Sequence, residues 1–98
     1  MQFSLTGRHM EIDESLKDYV EKSLEKLNKY NPHIISAHVI LEGDKFRYTA
    51  EIVLTLKKQV MKAKEVTANI YASVDRAVKK LEKSLERFEE KIKLHRKV

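Results

Sequence analysis

The sequence predicts a two-layer α+β domain with the chain order β-α-β-β-β-α, a four-stranded sheet carrying two helices on one face. Three observations lead there. Two segments, about 14–29 and 69–98, repeat apolar residues at helical spacing. The residues before and between them alternate apolar and polar with a period of two. The chain of 98 residues has no internal repeat, low-complexity tract or linker, so residues 1–98 form one domain. Each helix has one apolar stripe and the clearest strand one apolar face, so both helices cover the same side of the sheet.

Phe3 and Leu5 alternate with Gln2, Ser4 and Thr6, which predicts a first strand over 2–8 that ends near Gly7. Asp13 stands at an N-cap position ahead of Leu16, Tyr19, Val20, Leu24 and Leu27, the apolar face of a first helix over 14–29. Tyr30-Asn31-Pro32 stops that helix, because proline restricts the residue before it and has no N–H for the ladder. Runs at 34–42, 46–57 and 59–67 read as strands. Glu42-Gly43-Asp44-Lys45 supplies turn chemistry for the first hairpin, and Lys57-Lys58-Gln59 a weaker signal for the second. In the middle strand Ala50, Ile52, Leu54 and Leu56 alternate with Glu51, Val53 and Thr55, as a sheet with one packed face requires. Asn69 caps the second helix, whose length of about 39 Å exceeds the width of a domain this small. Residues 92–98, with Lys93, Arg96 and Lys97, are therefore expected to project as a mobile basic tip.

Wound at about 100° per residue, the second helix sorts into three sectors. Ile70, Val74, Ala77, Val78, Leu81, Leu85, Phe88 and Ile92 form the apolar stripe. Asp75, Glu82, Glu86, Glu89 and Glu90 occupy a second sector. Arg76, Lys80, Lys83, Arg87 and Lys91 occupy a third that contains no carboxylate. The first helix repeats the division, with Glu14, Asp18, Glu21 and Glu25 beside Lys22, Lys26 and Lys29. A helix with only solvent to face usually interleaves its signs to gain pairs one turn apart. Aligned cations instead match regularly spaced negative charge, and phosphate backbones are the commonest source of it. Of the formal net charge of +5, residues 69–98 carry +4.

Other chemistries find little footing. The absence of cysteine removes disulfides, thiolate catalysis and zinc–cysteine sites. His9, His33, His38 and His95 lack metal-ligand spacing, and His38 reads as an ordinary half-exposed strand residue. Gly7 and Gly43 stand alone, so no glycine-rich loop cradles phosphate, and no serine sits on a nucleophile elbow. The opening Met1-Gln2-Phe3-Ser4-Leu5 is strand-like rather than a signal peptide, and no apolar run is long enough to span a bilayer. A cytoplasmic, non-enzymatic protein without cofactor or metal is expected. Tyr71 and Asp75 admit two readings. Tyr71 can pack at the core's rim while Asp75 complements the helix N-terminus, or the ring can touch a base or sugar beside the basic sector.

The segment Asn69-Ile70-Tyr71-Ala72-Ser73-Val74-Asp75, followed by Lys80-Leu81, resembles the Asp-Met-Tyr-Ala-Ala-Ile-Asp…Lys-Leu signature of the ribosome hibernation-promoting factors, also called the ribosome-associated inhibitor or sigma-modulation family. Thr6-Gly7-Arg8-His9-Met10-Glu11-Ile12 is similar to that family's link from first strand to first helix, and Leu24, Lys26, Leu27 and Tyr30 to its first-helix end. The resemblance covers nearly the whole chain. Asn69 and Ile70 depart from the usual Asp-Met, Ser84 stands where glutamine is common and Glu89 where lysine is common.

The resemblance implies a fold similar to double-stranded-RNA-binding domains. It also implies a protein that binds the small ribosomal subunit, with its 16S rRNA, between head and platform. There it would occlude the paths of mRNA and tRNA and silence translation. It further implies rRNA contacts from Lys26 on helix one and from Lys80, Lys83, Arg87 and Lys91 on helix two, with Tyr71 and Asp75 as signature residues. Lys22, Lys29 and Arg76 join this set through their place in the basic sectors. Ending at Val98, the chain looks like a short form, which in this family cooperates with a separate modulation factor to pair ribosomes. It is expected to be monomeric off the ribosome. Two alternatives stay open: a generic double-stranded RNA-binding domain, and a protein-interaction module that uses its charged helix faces.

Overall fold

The computed structural model describes residues 2–96, with side chains as far as Ile92. Its elements are β1 (Gln2–Arg8), α1 (Glu14–Leu24), a 3₁₀ helix (Glu25–His33), β2 (Ile34–Asp44), β3 (Arg47–Leu56), β4 (Val60–Thr67) and α2 (Ile70–Arg96). The α+β architecture is as expected. The strands lie in the order β1-β2-β3-β4, with β1 parallel to β2 and the other two pairs antiparallel. A parallel neighbour requires a crossover, and α1 with the 3₁₀ helix supplies it.

Ala37, Val39 and Leu41 of β2, Ala50, Ile52, Leu54 and Leu56 of β3 and Ala63 of β4 are buried on the face under the helices. Leu16, Val20 and Leu24 of α1 meet them from above, together with Ile70, Val74, Ala77, Val78, Leu81 and Leu85 of α2. Both caps form as the sequence predicts. The Leu16 N–H donates to Asp13 Oδ1 at 2.8 Å, and the Tyr71 N–H to Asn69 Oδ1 at 2.8 Å. The buried Ser73 hydroxyl donates to the Tyr48 carbonyl at 2.6 Å and so pins the first turn of α2 to the start of β3.

Two local expectations need correction. The first helix is α-helical only to Leu24 and continues as a nine-residue 3₁₀ helix that includes Pro32. The cause lies in the apolar spacing: Leu24, Leu27 and Tyr30 are buried at intervals of three, and three residues per turn keep them on one face. The first hairpin turns at Lys45-Phe46, two residues beyond the Gly43-Asp44 centre of the expected Glu42-Gly43-Asp44-Lys45 turn, with Asp44 paired to Arg47 and Lys45 at a φ of 45°. Neither glycine makes a turn. A Cβ on Gly7 would sit 2.9 Å from the Met10 carbonyl oxygen, and one on Gly43 would sit 3.2 Å from the Met10 Cβ, so both clear a path for the link between β1 and α1.

The molecule measures 52 × 22 × 19 Å, elongated as a helix longer than its sheet requires. Beyond Ile92, the side chains of the anticipated basic tip lie outside the described residues.

Candidate nucleic-acid interface

The core fixes which way each sector of α2 faces. With its apolar stripe on β3 and β4, one flank of the helix turns toward α1 and the other overhangs the free edge of the sheet at β4. The carboxylates take the first flank. Asp75 accepts the Tyr19 hydroxyl of α1 on both oxygens, at 2.7 and 2.8 Å. Glu82 lines a depression between the helices with Lys26 and Asp75. Glu89 meets His33 of the 3₁₀ helix at 3.8 Å. Glu89 therefore does not interrupt the basic sector; it lies on the carboxylate flank, as the helical winding predicts.

The cations take the other flank. Arg76, Lys79, Lys80 and Lys83 surround a shallow depression of about 250 Å³ whose one carboxylate is Glu65 of β4. Lys80 Nζ approaches Glu65 Oε2 at 3.4 Å, which draws its ammonium toward the depression while most of the side chain stays in water. Arg87 and Lys91 continue along the same flank into a second groove, toward Met61. These exposed cations can hold an anion without the desolvation penalty of a buried charge.

The structure thus brings together Arg76, Lys80 and Lys83, extends them with Arg87 and Lys91, and separates them from α1. Lys26 lies between the helices, facing carboxylates of α2. Lys22 is exposed on α1, and Lys29 lies 5.2 Å from the Tyr30 ring centroid. The basic sectors of the two helices do not meet in one groove. Their link is Lys79, which borders both depressions and which helical winding places among the carboxylates of the second sector. Its adjacency to Lys80 was the available signal, and only the packing angle of α2 reveals its position.

Tyr71 is 39% exposed and meets Tyr19 edge to face, with ring centroids 4.9 Å apart. Its exposed ring adjoins the junction of the two helices rather than the cationic flank. The hydrogen bond to Asp75, together with partial burial and the nearby carboxylate charge, raises the Tyr19 pKa above its ordinary value near 10.0. Among the histidines, His38 shares a hydrogen bond with Ser4 on the open face of the sheet, and His33 packs edge to face on Phe88. Among the described residues no group of three or more histidines or carboxylates could hold a metal, and no helix is long and apolar enough to cross a membrane.

The structure defines a small α+β domain with an exposed cationic face on one flank of its long helix, and the comparisons narrow that class. The profile of the Sigma 54 modulation protein / S30EA ribosomal protein family matches residues 3–93, and the chain belongs to that family. The ribosome hibernation promoting factor of Escherichia coli is 30% identical over 95 residues, spanning 97% of this chain and all of the relative. The ribosome hibernation promotion factor of Deinococcus radiodurans is 32% identical over 91 residues, covering 88% of this chain but 48% of that protein, so the chain spans about half of the longer relative. Among solved structures, the N-terminal domain of Thermus thermophilus Protein Y is 37% identical with a TM-score of 0.83, over 90% of this chain and 99% of that one. A ribosomal subunit interface protein from Coxiella burnetii shares the fold, with a TM-score of 0.85 at 23% identity over 92% of this chain and 99% of that one.

Proposed function

We propose that this chain is a ribosome hibernation factor that docks on the small ribosomal subunit through the outer flank of α2, blocks mRNA and tRNA in the decoding channel and so silences translation. The observation that carries the reading is the depression ringed by Arg76, Lys79, Lys80 and Lys83, a set of exposed cations with one carboxylate among them. Such a field supplies affinity for an RNA backbone through released counterions, while the shape of the domain in a folded RNA cleft supplies specificity. In this reading Arg87 and Lys91 extend the contact along the helix, and Lys26, in the neighbouring depression that Lys79 also borders, contributes long-range attraction together with Lys22 and Lys29. Tyr71 and Asp75 act chiefly by holding α1 against α2. The action is steric, requires no catalysis and accompanies the pairing of ribosomes by a separate modulation factor.

Membership of the ribosome-associated family supports the ribosome as the target. The test is co-sedimentation with isolated small subunits, with and without excess mRNA and tRNA. Displacement by the competitors is the expected result. Equal binding to subunits and to an arbitrary RNA duplex, unaffected by either competitor, would replace this reading with generic double-stranded RNA binding.

A further inference from the structure

The cationic flank of α2 overhangs β4, and β4 is an edge strand bonded on one side to β3. The Leu56 N–H donates to the Gln59 carbonyl at 2.8 Å, closing the β3–β4 hairpin. In an antiparallel ladder, bonded and non-bonded pairs alternate from that point. Met61, Ala63 and Glu65 therefore spend their backbone groups on β3, and Val60, Lys62, Lys64 and Val66 direct theirs toward the free edge. The side chains of these four residues lie on the open face of the sheet, where Val60 and Val66 are 54% and 48% exposed. Above the same edge, Met61 lines a groove of about 450 Å³ with Phe88 and Ile92 of α2, and Arg87 and Lys91 rim it.

Charge identifies the occupant. The edge carries Lys62 and Lys64 on one face and Arg87 and Lys91 on the other, with Lys57 and Lys58 in the turn at its end; against these six cations stand Glu65 of β4, which Lys80 already engages at 3.4 Å, and Glu51, which faces Lys64 from β3. A second copy of this chain, with a net charge of +5 and the same lysine-bearing edge, would be repelled; edge lysines are a common device against self-pairing. Nucleic acid would satisfy the cations but could not use alternating N–H and C=O groups, and the ring of Phe88 is already engaged edge to face by His33. An acidic, extended peptide satisfies all three features. At the β1 edge, the corresponding groove pairs Phe3, Leu5 and Ile12 with one cation, Lys17, and one anion, Glu21, and so lacks the charge bias.

We infer that the β4 edge is a docking site for an acidic, extended segment of a partner protein, added as a fifth strand with an apolar side chain in the groove at Met61, Phe88 and Ile92. Strand addition draws affinity from main-chain hydrogen bonds and specificity from pockets for alternate side chains. The segment would be flanked by cations above and below the sheet, and an alternation of acidic and apolar residues fits both faces.

The test uses the isolated chain, so its failure leaves the ribosomal reading untouched. A fluorescein-labelled decapeptide of alternating glutamate and valine is titrated by anisotropy, with an all-glutamate decapeptide and a uridine decanucleotide as comparisons. Hydrogen exchange of the Val60, Lys62, Lys64 and Val66 amides is followed at saturation. The alternating peptide should bind at least about tenfold more tightly than the all-glutamate peptide and slow exchange at those four amides. Lys62→Pro removes one outward donor without touching the ladder to β3, and Lys62→Glu with Lys64→Gln removes the lower cations. Each should weaken the peptide by about tenfold in protein whose thermal melt confirms folding. Glutamine is chosen at Lys64 because it faces Glu51 across the strands. Equal affinity for the two peptides with unchanged exchange would reduce the edge to a diffuse cation patch. Equal protection by the uridine oligonucleotide would assign it to RNA, and concentration-dependent protection without peptide would assign it to a second copy. No binding would remove the site.

Discussion

Reversing charge at Lys80, Lys83 and Arg87 separates a docking face from a merely soluble one. The triple variant Lys80→Glu, Lys83→Glu, Arg87→Glu changes three exposed residues on the outer flank of α2 and removes no volume from the core. The Lys80–Glu65 contact is largely exposed and is worth no more than about 1 kcal/mol, so folding should survive. Each lost phosphate contact lowers the slope of log affinity against log salt by roughly 0.7–0.9, so three contacts lower it by about 2–3. Between 50 and 200 mM salt one such contact is worth roughly threefold in affinity and three are worth roughly thirtyfold, taking about 0.8 per contact. Wild type should therefore lose about thirtyfold more affinity than the variant over that range, and translation inhibition should fall with binding. The control is Glu86→Lys with Glu90→Lys, both exposed and outside the Lys26 depression, where Glu82→Lys would add a third cation beside Lys26 and Lys79. Subunit pelleting at matched ionic strength reads both variants. If the outer flank docks, the triple variant loses far more affinity per unit charge than the control gains. Equal and opposite effects per charge would mean that total charge governs binding and that no face is specific.

Other expectations concern the scaffold. Leu81→Ala empties a site 1% exposed under α2 and should cost about 2–5 kcal/mol, read from denaturant unfolding; a wild-type midpoint would mean that the stripe does not carry the core. Gly7→Ala drives a Cβ to 2.9 Å from the Met10 carbonyl and should destabilise by about 1–3 kcal/mol, whereas an unchanged melt would show that the link between β1 and α1 yields freely. Tyr19 has a raised folded pKa, so the stability from its bond to Asp75 is fully present below the unfolded value near 10 and is lost as pH rises through the folded value. Phenolate absorbance should show a tyrosine step above the ordinary value near 10.0, and Tyr19→Phe should abolish that step. Persistence of the step in the variant would assign it elsewhere.

What could be read from the residues was whatever a single element decides for itself. Asp13 and Asn69 cap because their side chains reach their own helix, and Leu81 and Leu85 are buried because the helical period alone aligns them with the core. The misreadings arose where a second element decides. Gly43 looks like a turn residue until Met10 crosses over it, and Lys45, with no such signal, takes the positive φ instead. Leu24, Leu27 and Tyr30 fit either a loose α-helical face or a tight three-residue repeat, and burial against the sheet selects the latter. The candidate site divides in the same way. The sectors of α2 were legible, but Lys79 and the separation of Lys26 from the outer flank follow from where α1 lies.

The grip on α2 is concentrated at its beginning. The Asn69 cap, the Ser73–Tyr48 bond and the Tyr19–Asp75 bond all fall within its first two turns, and among the described residues its last fully buried side chain is Leu85. The helix is thus held by three polar bonds at its start and, beyond Leu85, by the partly buried Phe88 and the Glu89–His33 contact, so its cations differ in how firmly the backbone beneath them is packed. Arg76 and Lys80 stand over those three bonds with their backbone already fixed. Arg87 and Lys91 stand beyond Leu85, where fewer buried side chains fix the backbone and any ordering on contact would subtract from the electrostatic gain. Equal charges along the flank are therefore unequal in value, with the greatest return per cation nearest the N-terminus of α2.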